Sequence, residues 1–154
     1  HIEQAYNNPK PIRGDIPILI GGSGERKTLR MVAQYADASN VFGDPAHIRH
    51  LVGVLEGHCA DLGRDPAEIT KTKLATLVIA DTHEAAAKKV EPFRKGMGDR
   101  FDAIVLFGDR DSVGEQIVAH LDAGLDGIIV NMPEVHDLEA VATAGEVLAA
   151  ATRV

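Results

Sequence analysis

The sequence predicts an α/β fold built as four consecutive parallel βα units, and three observations carry that prediction. The apolar segments at 16–20, 38–42, 72–80 and 127–132 are continuous runs, not strict alternations, as expected of strands covered on both faces. A stretch of helical periodicity separates each from the next, which a parallel connection requires. At 45% hydrophobic and 25% charged, the 154 residues have the composition of one globular unit, and no repeat or low-complexity tract divides them. Four such strands make either a small open sheet or half of an eight-stranded TIM (β/α)8 barrel.

Residues 1–15, with Pro9, Pro11 and Gly14, read as an entry loop. The chain opens on His1, not Met, so a removed start or a piece of something longer is expected. The first strand, 16–20, breaks into Gly21-Gly22-Ser23-Gly24, and a helix is expected over 25–36 with Leu29, Val32 and Ala33 on one face. The second strand ends at Gly43-Asp44-Pro45. An amphipathic helix follows with Ile48, Leu51, Val52, Leu55, Cys59 and Leu62 inward; Pro45 suits its first turn and Gly63 its end. Asp65-Pro66 turns the chain into the third strand, followed by a helix over 83–93. Residues 96–110 are the least regular part, although 101–107 has the makings of a short apolar turn or strand. Ser112 is placed to cap the next helix, with Glu115 completing a capping box and Gly124 closing it. The fourth strand ends at Asn131-Met132-Pro133, and Leu138, Val141, Ala142, Leu148 and Ala149 build the last helix.

Net charge is −7 and the basic residues are scattered, so no nucleic-acid footprint is present. One cysteine, Cys59, excludes an internal disulfide framework and fits a reducing cytoplasm. No apolar run approaches the roughly 20 residues a membrane span needs. The expected partner is a phosphate-bearing small molecule.

That expectation rests on the glycine turn. A strand that ends in glycines before a helix leaves backbone N–H groups aimed at one point with the positive helix end behind them, an arrangement that binds anions. Three motifs compete for it. The dinucleotide fingerprint G-x-G-x-x-G fails at its third glycine, where Lys27 stands. The P-loop finds Lys27-Thr28 in register, and Leu77–Asp81 resembles a magnesium-carboxylate strand, but Arg26 occupies the P-loop's second glycine position. A phosphate site in the βα loop of a barrel asks only for small residues and a helix start, and both are present. The bland alternative is a tight turn that only Gly21-Gly22 permit.

The segments Pro17–Arg26, Ala36–Val41, Gly63-Arg64-Asp65-Pro66 and Ala123–Val130 occur together in an order and spacing that resembles the luciferase-like oxidoreductases, closest to actinobacterial members using the deazaflavin F420. The resemblance covers nearly the whole chain from Ile16. It implies the C-terminal half of a (β/α)8 barrel, carrying strands five to eight, in which Gly21, Gly22, Ser23, Gly24 and Glu25 wrap the phosphate end of F420 or, as the variant, FMN. It also implies that the groups acting on the organic substrate belong mainly to the first four strands, so no catalytic residue is assigned here and the chain alone is expected to be inactive. A non-catalytic phosphate-ligand binding or assembly module is the alternative from another class, and a P-loop-like NTPase the last. Exposed parallel edges predict self-association or pairing with the missing half.

Among the remaining polar residues, His47, His50 and His58 read as a solvated helix face, with no third ligand at metal spacing. His83, His120 and His136 read as surface residues. Asp44 reads as an N-cap, Asn40 equally as cavity lining or sheet packing, Asn131 as strand-mouth or backbone-satisfying, and Asp109, Arg110 and Asp111 as a solvated turn.

Overall fold

A computed structural model describes residue 3 and residues 8–152. Of the entry loop, residues 1, 2 and 4–7 lie outside the described residues, and 8–15 carry no helix or strand. The order is β1 (Leu19–Gly21), α1 (Thr28–Tyr35), β2 (Ala38–Val41), α2 (Pro45–Leu62), β3 (Thr70–Ile79), α3 (His83–Met97), α4 (Phe101–Ile104), β4 (Val105–Gly108), α5 (Arg110–Leu121), β5 (Gly127–Asn131) and α6 (Leu138–Ala151). Single 3₁₀ turns precede β3 and α4.

All pairings are parallel, and β3 is the hub. Thr72 stands opposite Asn40 of β2 and Gly127 of β5, so those strands take its two edges. Thr76 stands opposite Val105 and Asn131, which puts β4 on the edge used earlier by β2. The four expected strands are therefore joined by a fifth. It comes from the irregular 96–110 region, where Phe101, Val105 and Phe107 pack with Val78 and Val90, and Arg94 stacks 4.1 Å from the Phe101 ring.

Parity along β3 sorts the two faces. Ala75, Leu77 and Ile79 pack with Val113 and Ile117 of α5 and Val147 of α6, while α1 and α2 cover β2 with Leu29, Val32, Ile48, Leu51 and Leu55. The opposite face leaves Leu19, Leu74 and Ile129 between 40 and 54% exposed, an open apolar surface.

Three of the recurring segments have structural work. Asp37 sits just before β2, where its carboxylate accepts the N–H of Ile18, just ahead of β1, at 2.7 Å. Asp126, just before β5, does the same for the Lys71 N–H at 2.7 Å. Gly63 ends α2 at φ +65°, and Arg64 donates to the carbonyls of Ala33 and Ala36 at 3.1 and 2.8 Å, placing a cation at the end of α1.

Two helix starts differ from expectation. Helix α1 begins at Thr28, not 25, because residues 24–29 close a wider turn in which Leu29 N–H donates to Gly24 O at 3.0 Å. Asp109, not Ser112, caps α5: its carboxylate accepts both the Ser112 N–H, at 2.9 Å, and the Ser112 hydroxyl. An aspartate one residue before the helix reaches its open amides with less chain than Ser112, which is inside the first turn.

Candidate functional site

The C-terminal ends of β1 and β2 lie side by side, and the glycine turn leaves the first of them. Gly21 closes β1 opposite Asn40, and the Gly22 N–H donates to Asn40 O at 2.8 Å. Gly22 then takes φ +134°, where a β-carbon would be strained and would stand 3.2 Å from the Thr28 methyl. A β-carbon on Gly24 would meet the Thr28 hydroxyl at 2.7 Å, so both glycines are required by the way Thr28 folds back over the turn.

Ser23 fastens the turn to its neighbour. Its hydroxyl accepts the Phe42 N–H at 3.0 Å and donates to Phe42 O at 3.2 Å, a closed pair spanning the two βα turns. Glu25 is held from α2, where His50 Nε2 lies 3.1 Å from its carboxylate and His58 Nε2 donates to its carbonyl at 2.8 Å. The predicted residues Gly21, Gly22, Ser23, Gly24 and Glu25 thus form one continuous rim. Ser23 to Thr28 line an open depression of about 870 Å³.

What the rim leaves free is the important part. Among the described residues none accepts a hydrogen bond from the amides of Ser23, Gly24 or Glu25. Lys27, at the N-cap of α1, offers no side-chain cap, and no acidic residue occupies the first turn. Arg26 and Lys27 add positive charge beside these donors. Backbone N–H groups beside two cations are an arrangement suited to an oxyanion.

Asp44 is the N-cap of α2, accepting the His47 N–H at 2.8 Å. Asn40 is 7% exposed and donates to the Thr72 hydroxyl at 2.9 Å; the open choice resolves to sheet packing. Asn131 is exposed at the end of β5. His47 and His50 are exposed, and no group of three or more metal-ligating side chains occurs among the described residues.

His120 is the exception to the surface reading. It is 3% exposed, and its Nε2 is 2.8 Å from the Nζ of Lys73, which is fully buried. Burial holds the His120 imidazole below its usual pKa and brings the Lys73 amine down to about 8, with nearby Asp44 working against both. Strand parity carried the missed signal: Lys73 shares the helix-facing register of Ala75, Leu77 and Ile79. Burial also pushes the Cys59 thiol up, away from the reactive thiolate. No described helix is long and apolar enough to cross a membrane.

Solved structures with this fold include the F420-dependent tetrahydromethanopterin reductase of Methanopyrus kandleri, 20% identical with a TM-score of 0.70 over 88% of this chain and 50% of that one. An F420-dependent secondary alcohol dehydrogenase, solved with an F420–acetone adduct, matches 91% of this chain and 50% of its own at 14% identity and TM-score 0.72. The oxygenating constituent of 3,6-diketocamphane monooxygenase from Pseudomonas putida, solved with FMN, matches 88% and 48% at 18% identity and TM-score 0.63. The chain spans about half the length of each. No curated protein matches the sequence. The sequence model of the luciferase-like monooxygenases covers residues 1–126, and with the parallel βα sheet this makes the chain a member of the luciferase-like monooxygenase family.

Proposed function

We propose that this chain is the cofactor-phosphate-binding half of an F420-dependent luciferase-like oxidoreductase, with Gly21, Gly22, Ser23, Gly24 and Glu25 around the phosphate end of the cofactor. The observation that carries the reading is the uncapped start of α1 behind the unpaired amides of Ser23, Gly24 and Glu25. These residues fit the group: three successive amides are unpartnered among the described residues, Arg26 and Lys27 supply charge, and a side chain at Gly22 or Gly24 would crowd Thr28. Two of the structures sharing this fold carry F420 dependence in their names, and the FMN complex makes FMN the variant reading.

When bound, the deazaflavin supplies hydride transfer to or from an organic substrate. This chain's own residues bind and orient. Ser23 locks the turn to Phe42, and His58 fixes the Glu25 carbonyl and with it the planar peptide that leads to Arg26. On this reading the rim binds the cofactor, and the groups that act on the organic substrate come from the rest of a barrel. The open face with Leu19, Leu74 and Ile129 supports pairing with the rest of a barrel or a second copy. The low cysteine content favours a cytoplasmic setting.

Titrating the labelled chain with F420, FMN, inorganic phosphate and magnesium-ATP, while following the amides of residues 22–28 by NMR, tests the reading. F420 is expected to shift them, with phosphate competing. FMN alone shifting them moves the assignment to the flavin, magnesium-ATP alone to a P-loop, and silence toward all four overturns it.

A further inference from the structure

The strongest unassigned feature is the buried amine behind the second βα turn. Lys73 Nζ lies 2.7 Å from Gly43 O and 2.8 Å from His120 Nε2, with no exposed surface. The His120 Nδ1 is 2.7 Å from Gln116 O. A carbonyl only accepts, so Nδ1 carries the hydrogen, Nε2 keeps its lone pair, and the lysine donates to it. The next residue back from Gly43 is Phe42, whose N–H and carbonyl both bond the Ser23 hydroxyl. One chain of contacts therefore runs from α5 through β3 to the glycine turn.

We propose that Lys73 and His120 are positioning residues for the anion site, forming a proton-sensitive latch that holds the Phe42–Asp44 turn and, through it, Ser23. The latch is closed only while His120 is neutral. A proton on Nε2 sets donor against donor and cation beside cation, so the amine withdraws and Gly43 O exchanges its lysine donor for the imidazolium, which also reaches the Gly43 backbone, and the hold of β3 on the turn is lost. The charged groups facing the pair are few. Asp44 is the one nearby carboxylate acting on both, and its side chain already accepts the His47 N–H; the His47 ring packs on Gly43, where a β-carbon would stand 2.7 Å from it. Neither His47 nor Asp44 replaces the tie to β3 that Gly43 O would lose. The latch's effect on cofactor binding rests on the function proposed above, whereas its hold on Phe42 does not.

Amide exchange at Phe42 and residues 22–25 of the intact chain, corrected for intrinsic rates, tests it at about pH 7.5 and about pH 4, the second set below the ordinary histidine interval because burial lowers His120. Wild-type protection at Phe42 is expected to fall about tenfold toward the acid end as the buried Lys73–His120 contact is lost. His120→Gln retains an acceptor for Lys73 without titrating, so its protection should stay flat, which a general structural role for the position would not produce. Lys73→Met should be weakly protected at both values. An acid-sensitive Phe42 in His120→Gln, or a fully protected one in folded Lys73→Met, overturns the latch; if Lys73→Met does not fold, the His120→Gln comparison decides. Phosphate titration on the same samples separates the two readings. An acid-sensitive latch in a chain whose 22–28 amides ignore phosphate and F420 leaves the latch standing and removes the cofactor assignment.

Discussion

The β1–α1 and β2–α2 turns leave adjacent strand ends, yet they treat the start of their helices in opposite ways. At α2, Asp44 accepts the His47 N–H, Pro45 removes one donor from the first turn, and Lys73 reaches the turn from beneath. At α1, Lys27 caps nothing and the preceding amides stay open. Thr82, Asp109 and Asp137 cap α3, α5 and α6 with their own side chains, so among the described helices of eight or more residues only α1 lacks such a cap. A closed turn is built for stability, and an open one leaves donors for something else. The two are clamped together by Ser23, so the closed turn supports the open one.

The largest effect expected from breaking this arrangement lies under the closed turn. Lys73 ordinarily titrates at 10.5 and is lowered to about 8 by burial, so the unfolded chain binds more protons across that interval and stability rises with pH from about 8 to 10.5. The amplitude is about 3 kcal/mol at 1.36 kcal/mol per unit. Lys73→Met should flatten that limb in denaturant titrations. His120 is also lowered, so its contribution is intact above its usual 6.5 and is lost as pH falls below it; His120→Gln should remove that acid limb. Stability curves of Lys73→Met and His120→Gln that parallel the wild type would sink the claim that the closed turn has a titrating anchor.

Next in size is the open turn's backbone. Gly22 at φ +134° is expected to cost about 1–3 kcal/mol when replaced by alanine, and the distorted turn should weaken F420 or phosphate binding at least tenfold. Gly63, at φ +65° with open space around it, is the control: Gly63→Ala should cost about 1 kcal/mol with binding unchanged. Equal losses of binding in both would mean that the turn matters only through stability.

How much of this was legible in the sequence follows the same division. Periodicity placed the βα units because each helix buries one stripe and each strand is a compact apolar run. The Asp44 cap was readable because N-caps are local: residue type and a following Pro45 suffice. The fifth strand was only half legible: the apolar run 101–107 left turn and strand open, and what selects the strand at 105–108 is packing on Val78 and Val90, contacts that no local pattern encodes. His120 was misplaced for a related reason: its amine partner lies 47 positions away on another element. In the resemblance, the segments around Asp37, Arg64 and Asp126 identify a fold because they tie strands and helices to one another. The glycine turn is different in kind, as the amides of Ser23, Gly24 and Glu25 find no acceptor among the described residues.

Exchanging the two helix starts gives a smaller and more pointed test. Asp44→Ala should lower stability by about 1 kcal/mol with little change in anion binding. Lys27→Asp supplies α1 with the cap and first-turn charge it lacks, so stability should rise by about 0.3–1 kcal/mol while phosphate affinity falls, as the new carboxylate competes for the same amides. Melting and binding would then move in opposite directions for one substitution. A Lys27→Asp chain that gains stability and binds phosphate as before would show that the open helix start is not where the anion sits.

The smallest effect separates the two histidines that hold Glu25. His58 donates to the Glu25 carbonyl, which fixes the peptide that carries the next amide, whereas His50 touches only an exposed carboxylate. A hydrogen bond that orients the binding backbone should matter more than a solvent-screened ion pair, whose contribution is typically a fraction of a kcal/mol. His58→Ala is therefore expected to weaken phosphate binding several-fold, about 1 kcal/mol, and His58→Gln, which keeps a donor, to recover part of it. His50→Ala should change it by less than about twofold. The reverse order in a phosphate titration would move the control of the glycine turn from its backbone to its surface charge, because only the backbone contact holds the Glu25–Arg26 peptide, where the open amides of the turn end.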